Sequence, residues 1–334
     1  MKRILSCIML SAFSLFALAQ QKQEKMSFNA GGEFKIAQFT DMHLGDDLDK
    51  NEAVVEMIRE MLDSESPDLV IFSGDNTTTD KVGERWGDIV NELSKRQIHW
   101  SAVLGNHDDE HALKRKEIIE LISKLPYCVM SNIEKGISGE GNHIIPLYAS
   151  TDGNKIEALL YCIDSNAYST LPSVKGYGWI TQSQINWYRN ASWQYTQGNN
   201  GQPLPSLAFF HIPLPEYAQA WESLETKRYG EKNETECSPL LNSGMFLAMR
   251  ECGDVMGTFA GHDHINDYIA TFHSIALGYG RASGGTNTYG DKTPGCRIIV
   301  LKEGCREFDT WIREKGNTGK LYRCTYPDSF LKKK

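Results

Sequence analysis

Five polar clusters in this chain each follow directly after a short apolar segment, and this placement constrains the fold more than any other feature. The clusters are Asp41-Met42-His43, Gly74-Asp75-Asn76, Gly105-Asn106-His107-Asp108, His211 and Gly261-His262-Asp263-His264. The apolar segments have the length and composition of buried strands. Because ligands of α/β sheets bind at the carboxyl ends of the strands, we expect the five clusters to converge on one site.

Segments of strand length alternate with segments of helical periodicity along most of the chain. Residues 34–39, 69–72 and 100–104 have the pattern of strands, and residues 51–63 and 84–95 repeat apolar side chains at helical spacing. Strand-like segments dominate the C-terminal part again. This order predicts an α/β fold in which two β-sheets pack face to face, with helices on their outer sides.

The two ends of the chain are expected to lie outside this fold. Lys2 and Arg3 precede an apolar stretch ending in Ala17-Leu18-Ala19, the arrangement of a signal peptide cleaved after residue 19. The stretch is shorter than the roughly 20 residues of a membrane span. We therefore expect an exported protein, periplasmic or secreted, without a stable membrane anchor. The predicted segments are a signal peptide over 1–19, a linker over 20–32, one domain over 33–315 and a polar tail over 316–334.

The donor atoms of the clusters indicate a metal site. They are carboxylate, amide and imidazole groups without a thiolate, a set that suits Zn, Mn or Fe. Seven donors exceed the needs of one four-coordinate ion and suit two ions about 3.5–4 Å apart that share a carboxylate. On extended backbone, the side chains at i and i+2 of Asp-x-His and His-x-His would face the same way. The predicted ligands are Asp41, His43, Asp75, Asn106, His211, His262 and His264.

The charge of the chain bears on its partners. It has 35 Lys and Arg against 43 Asp and Glu, a formal net charge of −8, which argues against a dedicated nucleic-acid-binding protein. A small phosphorylated substrate is compatible with this charge, because a metal site binds anions locally. The composition leaves the oligomeric state open.

Taken together, the motifs resemble those of the calcineurin-like metallophosphoesterases, over about residues 34–312. The early Asp-x-His, the Gly-Asp and the Gly-Asn-His-Asp are most similar to the purple-acid-phosphatase-like branch. The resemblance implies a four-layer α/β/β/α sandwich of two mixed sheets with a dinuclear metal site. It further implies a phosphatase that acts on phosphomonoesters with a metal-bound hydroxide as the nucleophile.

Residue roles follow from the same resemblance. It assigns one ion to Asp41, His43 and His264, and the other to Asn106, His211 and His262, with Asp75 between them. His107 would face the substrate, with Asp108 as its partner. Purple enzymes have a metal-bound Tyr three residues after the bridging Asp, whereas this chain has Thr78. The metal pair is therefore left open.

Three alternatives stay open at this stage. A phosphodiesterase or nucleotide pyrophosphatase would use the same ligands, a nuclease is disfavoured by the charge, and a non-catalytic surface protein would keep the metals without turnover. Arg281 lies in a Gly-rich segment after the last cluster, where its guanidinium would either bind a phosphate oxygen or stay solvated.

Overall fold

A computed structural model describes residues 25–331 of the protein, so the signal peptide predicted over 1–19 lies outside the described residues. The strands are β1 (Met26–Ser27), β2 (Glu33–Phe39), β3 (Leu69–Ser73), β4 (His99–Val103), β5 (His143–Tyr148), β6 (Ile156–Cys162), β7 (Ser206–Phe209), β8 (Val255–Ala260), β9 (Ile269–Phe272), β10 (Ile275–Tyr279), β11 (Gly295–Lys302), β12 (Phe308–Glu314) and β13 (Asn317–Tyr326). The α-helices are α1 (Leu48–Glu65), α2 (Val82–Lys95), α3 (Arg115–Ile122), α4 (Gln182–Gly198), α5 (Glu216–Glu222) and α6 (Met245–Cys252).

Local capping explains where the two longest helices begin. The Asp47 carboxylate accepts a hydrogen bond from the Lys50 N–H at 3.2 Å at the start of α1. At the start of α4, the Gln184 side chain accepts from the Thr181 N–H at 2.9 Å. Each contact satisfies a backbone donor that has no partner within the first turn of a helix.

Both sheets are mixed. The seven-stranded sheet has the order β1-β5-β6-β7-β8-β10-β9, in which β6, β7, β8 and β10 run parallel. The six-stranded sheet has the order β13-β12-β11-β2-β3-β4, in which β2, β3 and β4 run parallel and the other pairs are antiparallel. Parallel strands point their carboxyl ends the same way, so each sheet gathers its strand-end loops at one edge.

Three apolar cores separate four layers. Successive residues of β3 alternate between two of them: Val70 and Phe72 pack against α1 and α2, whereas Leu69 and Ile71 face the other sheet. A third core lies between the seven-stranded sheet and helices α4, α5 and α6. This arrangement confirms the predicted α/β/β/α sandwich.

The structure corrects both predicted boundary segments. Within the predicted linker 20–32, Met26 and Ser27 form a parallel strand on β5. The predicted polar tail 316–334 contains β13, which pairs with β12, and then Phe330, which is buried between the sheets. An edge strand with one face in water is mostly polar, so its composition resembles that of a tail.

Two further features concern the chain as a whole. Within residues 25–331, no helix has both the length and the hydropathy required to span a bilayer. The seven cysteines of this part of the chain are all unpaired.

Candidate metal centre

The five polar clusters lie at adjacent carboxyl ends of strands from both sheets. Strands β2, β3 and β4 of the six-stranded sheet end immediately before Asp41, Asp75 and Asn106. Strands β7 and β8 of the seven-stranded sheet end just before His211 and His262. Backbone hydrogen bonds tie the loops together, including Asp41 N–H to Gly74 O at 3.0 Å and Gly261 N–H to His211 O at 3.0 Å. The predicted convergence is therefore observed.

The backbone at the site is not extended, contrary to the prediction for Asp-x-His and His-x-His. Four of the candidate ligands have left-handed backbone: φ is 55° at Asp41, 45° at His43, 51° at Asp75 and 77° at His262. Non-glycine residues in this region are uncommon and cluster at functional sites. The side chains therefore converge because the chain turns sharply after each strand, and not because of strand alternation.

Two glycines permit the loops to approach this closely. A Cβ atom at Gly74, where φ is 99°, would overlap the His211 ring. A Cβ atom at Gly105 would overlap the backbone and carboxylate of Asp75. Any larger residue at either position would push apart two of the loops that carry the candidate ligands.

The carboxylate and imidazole donors form two groups that share one residue. Asp41, His43, Asp75 and His264 make up the first group, and Asp75, His211 and His262 the second, with all ligand atoms of a group within 4.8 Å of one another. Asp75 Oδ2 lies 3.6 Å from His43 Nε2 and 3.1 Å from His211 Nε2. This position between the groups is the one predicted for the bridging carboxylate.

Several buried donor atoms at the site have no hydrogen-bond partner among the described residues. They include Asn106 Oδ1 and both ring nitrogens of His262. His211 Nδ1 donates to Ser73 O at 2.9 Å, which directs Nε2 toward Asp75. Buried polar atoms are rarely left unsatisfied, so metal ions would complete this donor set. The residues therefore fit a pair of ions, with Asn106 as the predicted seventh ligand.

Burial and mutual charge set the protonation of the donors. Burial, reinforced by the charge of His211, lowers the pKa of His262 to about 3, which keeps this ring neutral and able to bind a cation. Burial acts to lower the pKa of His211 as well, but the carboxylates of Asp75 and Asp41 outweigh it and raise that pKa to about 9. A proton on His211 must leave before Nε2 can bind a metal, so metal affinity rises with pH.

His107 lies beside this cluster and is more accessible than the ligands. Its side chain is 38% exposed, against 12% for His43, whose ring centroid is 5.6 Å away. The His107 N–H donates to Asp75 Oδ1 at 2.8 Å, so the same loop orients the shared carboxylate. The location agrees with the predicted role of a group that faces the substrate.

The predicted pairing of His107 with Asp108 is wrong. The Asp108 carboxylate is buried and accepts hydrogen bonds from the backbone N–H groups of Gly105, Asn76 and Thr77 at 2.8–3.0 Å. It therefore holds the loops after β3 and β4 together. The partner of His107 is Glu110, whose Oε2 lies 2.7 Å from Nδ1.

Arg281 is buried and held by two carboxylates. Its side chain is 3% exposed, pairs with Asp267 Oδ2 at 3.1 Å and hydrogen-bonds to Glu314. The predicted solvated state is therefore wrong, because the carboxylates of Asp267 and Glu314 occupy the guanidinium, and binding of phosphate by Arg281 stays a prediction.

The sequence reasoning missed most of the aromatic and acidic rim. Tyr168 and Tyr177 stack with ring centroids 6.0 Å apart, and Tyr177 meets the His262 ring edge-on at 4.3 Å. The Tyr289 ring stacks on His264, with ring centroids 4.1 Å apart. The glycines and aromatic residues between Tyr168 and Trp179 are a sequence signal for such a rim, whereas Tyr289 has no comparable signal.

Comparison with known proteins places these observations in a family. The calcineurin-like phosphoesterase family matches residues 34–266. "Probable inactive purple acid phosphatase 29" of Arabidopsis thaliana is 32% identical over 84% of this chain and 78% of its own length. "Phosphatase DCR2" of Saccharomyces cerevisiae is also 32% identical, over 87% of this chain and 55% of its own length. A solved dimetal phosphatase from Danio rerio has a TM-score of 0.58 at 13% identity, covering 87% of this chain and 98% of that one.

An α/β/β/α sandwich with two carboxylate–imidazole groups at the joined strand ends defines a metallophosphoesterase, a hydrolase of phosphoric ester bonds. The chain belongs to the calcineurin-like phosphoesterase family and is similar to its purple-acid-phosphatase-like members. Thr78, at the position of the Tyr that binds iron in purple enzymes, donates its hydroxyl to His43 O at 3.4 Å.

Proposed function

We propose that the protein is a phosphatase that hydrolyses phosphomonoesters of small molecules at a dinuclear metal site. The observation that carries this proposal is the position of Asp75 in both ligand groups, with the accessible His107 beside them. Two divalent ions held there would neutralise the charge of a phosphoryl group and lower the pKa of water to about 7. The native metals, among Zn, Mn and Fe, are part of the proposal.

The residues of the site would have three roles: binding the ions, donating to the substrate and flanking it. Asp41, His43 and His264 would hold one ion, and Asn106, His211 and His262 the other. His107 would donate a proton to the leaving oxygen or a hydrogen bond to the phosphoryl oxygens; its exposed ring suits either role. Tyr177 and Tyr289 would flank a substrate that reaches the ions, because they lie over His262 and His264.

The ligand set argues for turnover in this chain. Some relatives are named as inactive phosphatases. Here all seven predicted ligands are present, and the buried atoms without a hydrogen-bond partner include Asn106 Oδ1 and the ring nitrogens of His262. A non-catalytic metal-binding protein is therefore the weaker alternative. Stoichiometric metal without hydrolysis of any ester would favour it.

A phosphodiesterase is the second candidate, and one observation favours it. Arg281, the cation predicted to bind phosphate, pairs with the carboxylates of Asp267 and Glu314. A diester carries one negative charge fewer than a monoester dianion, so it depends less on such a cation. A nuclease stays disfavoured, because the formal charge of −8 opposes binding of a polyanion.

Export remains part of the proposal. The predicted signal peptide would deliver the protein to the periplasm or the exterior, without nucleic acid or membrane partners. The mass of the protein purified from its native host distinguishes cleavage after residue 19 from an intact N-terminus.

The test uses the protein purified after chelation. Hydrolysis of an aryl phosphate and of a bis-aryl phosphate is measured before and after Mn²⁺ or Zn²⁺ is restored. We expect metal-dependent activity with the monoester preferred, and loss of at least a hundredfold in Asp75→Asn. Activity that is indifferent to the chelator would refute a dinuclear hydrolase, and a preference for the diester would establish the second candidate.

A further inference from the structure

Glu110 links His107 to Tyr168 at the edge of the candidate metal site. Its Oε2 lies 2.7 Å from His107 Nδ1, and its Oε1 accepts a hydrogen bond from the Tyr168 hydroxyl at 3.1 Å. The Tyr168 oxygen in turn accepts from Asn106 Nδ2 at 3.3 Å. One carboxylate therefore connects the residue expected to face the substrate with a residue expected to bind metal.

The local backbone brings Glu110 to His107. The Glu110 N–H donates to His107 O at 3.4 Å, closing a single turn that places the two side chains on one side of the loop. A carboxylate has no proton to donate, so His107 must donate from Nδ1. Nε2 is then the ring nitrogen that remains for the substrate.

We infer that Glu110 is a positioning residue for His107: it accepts the Nδ1–H and directs Nε2 to the substrate, so that the protonated ring donates from Nε2 and the neutral ring is left as the Nδ1–H tautomer. The inference rests on the proposed function, because it assigns His107 the substrate-facing role. Tyr168 supports Glu110 from the other side, so the carboxylate is fixed at both oxygens.

A contribution to folding stability does not explain the contact between Glu110 and His107. The side chains of Glu110 and His107 are 43% and 38% exposed, and an exposed ion pair contributes little to the free energy of folding. An exposed imidazole without its partner would rotate about its side-chain bonds and exchange tautomers. Loss of an orienting partner of this kind typically costs about 10–100-fold in activity.

The kinetic test is a double-mutant cycle. We expect Glu110→Ala to lower kcat/KM of the metal-loaded protein about 10–100-fold with metal content unchanged. Glu110→Gln, which keeps an acceptor oxygen, should retain part of that activity. In the His107→Ala background, Glu110→Ala should change kcat/KM less than about twofold, because it acts through a ring that is gone. Additive losses would overturn the inference.

A spectroscopic test is independent of activity. Long-range ¹H–¹⁵N spectra of the Zn²⁺-loaded protein report which nitrogen of each imidazole carries the proton, and His107→Ala identifies the His107 signals. We expect protonated Nδ1 in the wild type and a shift toward Nε2–H in Glu110→Ala. Unchanged His107 signals in Glu110→Ala would overturn the inference.

Glu120→Ala is the matched control. Glu120 is an exposed glutamate on α3, 3.9 Å from Lys116, and its removal changes the net charge equally. It should alter neither kcat/KM nor the His107 signals. If the wild type hydrolyses no ester, the proposed function is wrong. The ¹H–¹⁵N spectra still show whether Glu110 positions His107, because they do not depend on activity.

Discussion

The side-chain amide of Asn106 donates through Nδ2 to the Tyr168 hydroxyl at 3.3 Å. Its Oδ1 is buried and has no hydrogen-bond partner among residues 25–331. Tyr168 therefore determines which end of the amide is directed to the candidate metal site, although the two residues lie 62 positions apart in the chain. Oxygen is the amide atom that binds metal ions.

Removal of the Tyr168 hydroxyl should weaken the binding of one ion, the one assigned to Asn106, His211 and His262. In Tyr168→Phe, the Asn106 amide loses the acceptor that orients it, and we expect about a tenfold loss of affinity at the second ion. Metal analysis after dialysis against a weak chelator measures the stoichiometry, which should fall from two ions per chain toward one. Tyr177→Phe is the control, because it keeps the ring that stacks on Tyr168. Equal metal loss in both variants would contradict the prediction.

Substitution of Arg281 should affect stability and not substrate binding. Arg281→Ala removes the buried guanidinium that pairs with Asp267 and Glu314. Breaking a buried pair costs about 3–5 kcal/mol, and Lys292, 2.8 Å from Asp267, should keep the loss toward the lower end of this range. Urea unfolding should show this loss, whereas Arg281→Lys, which keeps the charge, should lose less. An increase of KM at unchanged stability would instead make Arg281 a substrate ligand.

Substitution of Asp108 should reduce stability and metal binding together. Asp108→Ala removes the acceptor of the Gly105, Asn76 and Thr77 N–H groups, and each buried donor left unsatisfied costs about 1–3 kcal/mol. We expect a lower free energy of unfolding and metal content below two ions per chain. A fall of kcat with stability and metal content intact would restore the catalytic pairing with His107.

His143 should make the protein sensitive to acid. Burial lowers the pKa of this histidine to about 4, and its ring nitrogens lie 2.7 Å from Ser101 Oγ and Gly141 O. In the unfolded chain the pKa is about 6.5, so the unfolded state binds more protons between these values. The stability that neutral His143 contributes is complete above about pH 6.5 and is lost as the pH falls toward 4.

Urea unfolding at two pH values measures this effect. Between pH 6.5 and 5 the wild type should lose about 2 kcal/mol more than His143→Gln, which cannot bind the proton. The exposed His273 is the matched control, and His273→Gln should keep the pH dependence of the wild type. Parallel pH profiles for the wild type and His143→Gln would contradict the prediction.

Local sequence patterns were sufficient to predict the sandwich and the convergence of the five polar clusters. A short apolar strand followed by a polar cluster is visible within about ten residues, and parallel strands bring such clusters to one edge by geometry alone. Asp75 was therefore recognisable as a central carboxylate before its neighbours were known. The same argument did not predict the backbone conformation: φ is 45° at His43, whose N–H donates to Asp75 O in the loop after β3.

The sequence by itself determined the fold class, the family and the candidate ligands, because each follows from the order of residues within a short segment or from motifs in succession. The tertiary structure alone decided the partners of individual side chains. Three cases are the contact of Glu110 with His107, the pairing of Arg281 with two carboxylates, and the pairing of β13 with β12. A charged or polar side chain pairs with whatever group the folded chain brings within a few ångströms, and short sequence patterns do not specify which group that is.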